Sequence, residues 1–184
     1  MPERRARQPR GCLPTLVIAL IMVSIVGAGV IISNALSDRP AAAIEVGAGV
    51  SIRPPLEWSF VSRFDPGTGE DDGVVMTRGV ATMIVYVSAA PAATELASLR
   101  AELGGSSLVS LGETEPVTVR VGRDGLRFAF SGALPELSSV PIEGEALAIQ
   151  GQAVSAVFVT WSEVGSYQLL RGEISQLIAE ATIP

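Results

Sequence analysis

Residues 74–103 read VVMTRGVATMIVYVSAAPAATELASLRAEL. Val74 to Arg78 has the pattern of a strand, Gly79 breaks it, and Val80 to Val87 has the pattern of the next. The second strand is apolar on both parities. A strand with one wet face alternates apolar and polar residues, so one that does not alternate is buried on both sides. Something therefore covers each face of the sheet it belongs to. Pro91 to Leu103 reads as a helix, with Leu96, Leu99 and Leu103 forming one apolar stripe. Gly104-Gly105 stops it.

On the N-terminal side, a strand is expected near Ile44 to Ile52, interrupted by Gly47 and Gly49. Pro54-Pro55 breaks the chain, and Trp58 to Phe64 resumes as a strand. On the C-terminal side, strands are expected at Ser107 to Leu111, Pro116 to Gly122 and Leu126 to Ser131. Asp124-Gly125 is the strongest short hairpin signal in the chain. A turn there puts Val117, Val119 and Val121 on one face with Leu126, Phe128 and Phe130. It pairs Arg120 with Ala129 and Arg127 with Gly122. Residues 133–144 read as a loop. Glu145 to Gln150 and Gln152 to Trp161 read as two strands, and Ser166 to about Ala181 as a second helix with Leu170, Ile174, Leu177 and Ile178 on one face. Runs of strands with tight turns, broken by two helices, predict an α+β fold. The expected architecture is a mostly antiparallel sheet with two helices packed on it.

The opening of this region, Pro54-Pro55-Leu56-Glu57-Trp58, resembles the P-x-G-W start of PsbP-like domains, with Glu57 standing where the family usually has Gly. The block at 74–103 and the final hairpin plus helix at 145–181 are also similar to that family. The resemblance covers the outer domain only. It implies an α/β/α sandwich used as a binding or assembly module, often carried by small anchored proteins or lipoproteins. It implies no shared catalytic constellation.

Before this domain, residues 11–37 carry no charge. The apolar run Leu13 to Leu36 would extend roughly 36 Å as a helix at ~1.5 Å per residue, enough for a ~30 Å hydrocarbon core. Arg4, Arg5, Arg7 and Arg10 precede it, against Glu3 alone. From Ser37 onward the acids outnumber the arginines. Basic flanks stay in the cytoplasm. The expected organisation is a cytoplasmic tail (1–12), a transmembrane helix (13–36), a linker (37–43) and an extracytoplasmic α+β domain (44–184). The protein is then a single-pass cell-membrane protein contacting the lipid bilayer through residues 13–36. A cleaved signal peptide is the competing reading, with small-residue sites at Ser33-Asn34-Ala35 and Ala41-Ala42-Ala43. Its apolar region is normally about 7–15 residues, shorter than this one. Cys12 lies before the apolar run, where a lipid-modified cysteine should follow it.

The chain has 184 residues, 48% hydrophobic, and a net charge of −6; all 13 basic residues are Arg and there is no His. That composition excludes a Ser-His-Asp triad, a Cys-His dyad, a His-containing zinc site and a Schiff-base lysine. One cysteine excludes a disulfide scaffold. Arg without Lys, with abundant Ala, Gly and Val, points to a GC-rich coding sequence, and the resemblance to PsbP-like domains implies a bacterial source. An acidic domain with scattered arginines disfavours nucleic acid.

Three features compete as sites. The loop Asp65 to Gly73 carries four acids among glycines, but Met76 stands where an EF-hand needs its twelfth-position Glu, so a solvated loop is expected and no metal. Trp58, Phe60 and Trp161 can form an aromatic pocket, though sheet-to-helix core is the expectation. Arg120 and Arg127, with Arg123 nearby, lie on the outward parity of the predicted hairpin, where they are candidate ligand-binding residues for a shared anion. The alternative there is a set of internal salt bridges with Glu95, Glu102 or a neighbouring strand. No Gly-x-Ser-x-Gly elbow occurs. The expected function is a membrane-anchored extracytoplasmic module, without catalysis or cofactor, binding a protein or a small apolar or anionic ligand. The alternative is an extracytoplasmic hydrolase or transferase with a Ser or carboxylate centre.

Overall fold

The computed structural model of the chain describes residues 42–119, 123–134 and 140–184. The expected tail, membrane span and most of the linker lie outside these residues, as does Arg120. No helix among the described residues is long and apolar enough to cross a membrane.

The chain opens with a two-stranded hairpin, β1 (Ile44–Gly47) and β2 (Val50–Ile52). Its two-residue turn is Ala48-Gly49, both at positive φ (46° and 79°), the geometry whose twist matches paired strands. Next come β3 (Ser59–Phe64), β4 (Gly73–Arg78) and β5 (Ala81–Ser88), and then helix α1 (Ala92–Gly104). The second half carries β6 (Val109–Leu111), β7 (Glu115–Val119), β8 (Arg123–Gly132), β9 (Ile142–Gln150), β10 (Ser155–Glu163) and helix α2 (Tyr167–Glu180).

The large sheet runs β3-β4-β5-β10-β9-β8, and every pairing in it is antiparallel. The outer edge of β8 is shared. β6 lies opposite Phe130–Gly132, and β7 lies opposite Arg123–Arg127. One helix packs on each face, giving the α/β/α sandwich. On the α1 face, Leu96 and Leu99 meet Ile84, Phe128, Val157 and Trp161. On the other, Ile174, Leu177 and Ile178 of α2 and the β1–β2 hairpin meet Met83, Val85, Ile149 and Phe158. The central strand β10 is buried from Ser155 to Ser162. As with β5, that explains its lack of alternation.

The hairpin turn expected at Asp124-Gly125 is not there. Val117 pairs with Gly125 and Thr118 with Asp124, so both residues of the expected turn lie inside β8. Pairing with β7 and β9 holds Gly125 extended, and glycine suits the position because an added carbon would lie 3.0 Å from the Ala148 carbonyl oxygen, a tight contact. The register change is odd in residue count, and an odd change moves every side chain to the other face. Val117 and Val119 therefore share a face with Arg123 and Arg127, while Phe128 and Phe130 lie on the opposite one. Trp58 and Trp161 are both core residues, as expected, but they sit on opposite sides of the sheet and cannot form one pocket. Phe60 is not core; it is 44% exposed.

Candidate functional site

Strand β9 sets the position of both helices. At its C-terminal end, Gln150 Oε1 accepts the Ala92 N–H at 2.9 Å, capping α1. Near its N-terminal end, Glu143 Oε1 accepts the N–H groups of Gly165 (2.9 Å) and Tyr167 (3.3 Å), at the start of α2. A carboxylate there satisfies free donors and complements the helix dipole. The far flank of α2 is pinned as well. Glu173 accepts from Trp58 Nε1 at 2.6 Å and pairs with Arg78. The helix is thus held toward β10 and the β2–β3–β4 side. Its other flank stands over β8 and β7.

A cavity of about 280 Å³ lies under that flank. Its wall is the helix face Tyr167, Arg171, Ile174 and Ile178, at alternating spacings of four and three. Its floor is Leu147 and Phe158, and its side is Val117 and Val119 of β7. Polar groups gather at one end. Arg127 Nε donates to Glu115 Oε1 at 2.8 Å. The Glu145 Oε2 atom lies 3.7 Å from an Arg127 nitrogen and 3.8 Å from an Arg171 nitrogen. Thr160 Oγ1 and the Tyr167 hydroxyl are 3.0 Å apart, buried. The polar end opens on a second hollow of about 370 Å³ that shares Glu145, Tyr167 and Arg171. At the apolar end, Val119, Ile178 and Ala179 lead to a small hollow of about 90 Å³ bordered by Arg123.

Burial drives the protonation behaviour. Glu145 is pushed above the usual carboxylate range mainly by desolvation; the Arg127 and Arg171 charges oppose that, and Glu115 adds to it. The Tyr167 phenol is pushed up to about 12, again mainly by burial, against the stabilising hydrogen bond from Thr160. It stays neutral at physiological pH.

Of the three candidate arginines, Arg127 lines the cavity and is held by a carboxylate on each neighbouring strand, Glu115 of β7 and Glu145 of β9. Glu95 and Glu102 are not its partners. They belong to α1, and Glu95 bonds Ser88 instead at 2.8 Å. Arg123 sits at the far, apolar end and makes no ion pair among the described residues. Arg120 lies outside the described residues, so no pairing with Arg127 is described. Four cavity residues escaped the sequence reading: Glu145, Thr160, Tyr167 and Arg171. Two of them carried a signal. Glu145 and Thr160 are polar residues that border the apolar runs Ala146–Ile149 and Ala156–Val159, directly opposite each other in the β9–β10 pairing.

The acidic loop satisfies itself. Asp65 Oδ1 accepts from the N–H groups of Gly67 (2.7 Å) and Gly69 (3.0 Å), which hold its carboxyl below the usual range, the Gly67 bond foremost. No cluster of three or more acids or thiols among the described residues is arranged to hold a metal ion.

No protein-family model matches the chain, and no curated protein matches it. Solved structures do. The solution structure of cyanobacterial PsbP (CyanoP) from Synechocystis sp. PCC 6803 matches with a TM-score of 0.53 at 10% identity, covering 74% of this chain and 87% of that one. A crystal structure from Bacteroides thetaiotaomicron matches with a TM-score of 0.51 at 12% identity, covering 79% of this chain; the match spans 49% of that longer protein. At such identities the likeness is one of fold: the domain has a PsbP-like fold.

Proposed function

We propose that the chain is a membrane-anchored extracytoplasmic binding or assembly module with no catalytic role, and that it works through the cavity between α2 and the sheet. The cavity carries this reading. It is apolar along most of its length, has polar groups at one end, and opens at the surface beside the flank of α2. That is the usual composition of a ligand or side-chain receptor. Its polar groups are ill suited to acid–base catalysis. Glu145 sits between two guanidinium groups, and the Thr160 hydroxyl is bonded to a phenol that does not ionise near neutral pH. The charge-free run Leu13–Leu36 behind four arginines supports the anchor and its orientation.

Site-specific photocrosslinking in intact cells tests the reading. A crosslinker at Ser175, on the cavity lip, should give a discrete adduct, while one at Ala101, on the exposed side of α1, should not. Equal yields at the two positions, or none at Ser175, would overturn it. Protease added to spheroplasts should digest the domain, which tests its side of the membrane.

A further inference from the structure

We infer that the cavity takes a small amphiphilic monoanion, an organic carboxylate with an apolar body of about a dozen heavy atoms. The inference rests on the proposal that this cavity is the binding site, and adds the chemistry of its occupant.

Size and lining define the body. An apolar cavity of about 150 Å³ holds a benzene ring. This one is about 280 Å³ and is bounded by Val117, Val119, Leu147, Phe158, Ile174 and Ile178. It suits a short aromatic or aliphatic body.

The arginines define the head. Arg127 and Arg171 come from different elements, β8 and α2, and meet at one oxygen of Glu145. Their separations from it, 3.7 and 3.8 Å, exceed the ~2.7–2.9 Å of a charge-assisted hydrogen bond. Arg171 has no other ionic partner and donates no other hydrogen bond among the described residues. Arg127 commits only its Nε, to Glu115. Two guanidinium groups thus border the cavity with donors to spare. Glu145 does not use them fully, and burial already works against its charge. An incoming carboxylate can take those donors as Glu145 gives them up. With Glu115 and Glu145 present the two arginines are formally balanced, so one added negative charge is tolerated better than two.

The test compares one body with three heads. Full-length protein in nanodiscs is titrated calorimetrically with 4-phenylbutyrate, 4-phenylbutanol and 4-phenylbutylamine, with empty nanodiscs subtracted. The acid should saturate at one per protein and bind at least tenfold tighter than the alcohol. The amine should not saturate. Arg171→Gln should bring the acid down to the affinity of the alcohol while leaving the alcohol unchanged. Ala179→Phe, which fills the cavity from α2, should abolish both, with an unchanged circular dichroism spectrum showing that it folds. Alcohol or amine binding as tightly as the acid overturns the inference, and so does an acid affinity indifferent to Arg171→Gln. In either case binding lost in Ala179→Phe leaves the cavity as the binding site. Saturation by none of the three overturns the inference outright, and crosslinking at Ser175 then judges the site separately.

Discussion

The two faces of one sheet are built to different standards. Along β8, Leu126, Phe128 and Phe130 point to the α1 side, and Arg123, Arg127 and Ser131 to the α2 side. Along β9 the α1 side receives Ile142, Ala146 and Ala148, while the α2 side receives Glu143, Glu145, Leu147 and Ile149. The α1 face is closed: Phe128 is 1% exposed, and the Arg100 guanidinium lies 5.6 Å above its ring. The α2 face is closed over β4, β5, β10 and Ile149 of β9, where the helix and the β1–β2 hairpin share the cover. Over β7 and β8 it is open and carries the charges. A packed layer stabilises, and a layer left incomplete on one side makes a receptor. The same strand serves both because its side chains alternate.

Truncation of the large residues should break this comparison most visibly. Phe128→Ala on the closed face should cost about 3–5 kcal/mol, since no neighbour can collapse into the space. Leu147→Ala, which only enlarges an existing cavity, should lie near 2 kcal/mol, the low end for such changes. Equal losses in urea unfolding would mean that the two faces are packed alike.

Charge reversals in sign come next. The Glu145 pKa is raised by folding, so its contribution is fully present below its ordinary value of 4.5 and is lost as the pH rises through the higher folded value. Glu145→Gln should therefore be more stable than the parent at pH 7, with the difference vanishing below about pH 4.5. Arg127→Gln should do the opposite. It leaves Glu115 and the half-buried Glu145 short of a partner and should cost about 1 kcal/mol at pH 7. Melts that move both variants in one direction would contradict this account of the cavity mouth.

Two smaller effects sharpen the picture of what holds α2. Glu143→Ala removes the acceptor for the Gly165 and Tyr167 N–H groups and should cost about 1 kcal/mol, with hydrogen exchange faster in the first turn of α2 than in α1. Ala48→Asn places a residue that tolerates positive φ in the β1–β2 turn and should raise stability by about 0.5 kcal/mol. No gain there would mean that the turn geometry does not cost what an L-alanine normally pays.

Much of the architecture was legible from residues alone. The doubly apolar Val80–Val87 run implied two covered faces, and the leucine stripe of α1 was read to within a residue. The α2 face Leu170, Ile174, Leu177 and Ile178 was equally plain. These signals are local, arising from periodicity within one element. The cavity was not legible. Its residues come from β7, β8, β9, β10 and α2, and no local pattern relates Arg127 to Arg171 across 44 positions of sequence.

The sequence by itself determined the order of the strands and helices, with the β1–β2 hairpin read as one interrupted strand, and the need for a layer on each side of the sheet. It also excluded chemistry that needs histidine, lysine or a disulfide. Only the tertiary structure decided which face each residue of β7 and β8 occupies. The Asp124-Gly125 signal was strong, but a two-residue turn is a small local preference. Against it stood the pairing of β8 on both sides, with β7 from Arg123 to Arg127 and with β9 from Gly125 to Gly132. A ladder of hydrogen bonds on each edge outweighs the preference of two turn residues. The register it fixes put Val117 and Val119 on the face of Arg127, opposite Phe128 and Phe130, and so assembled the site.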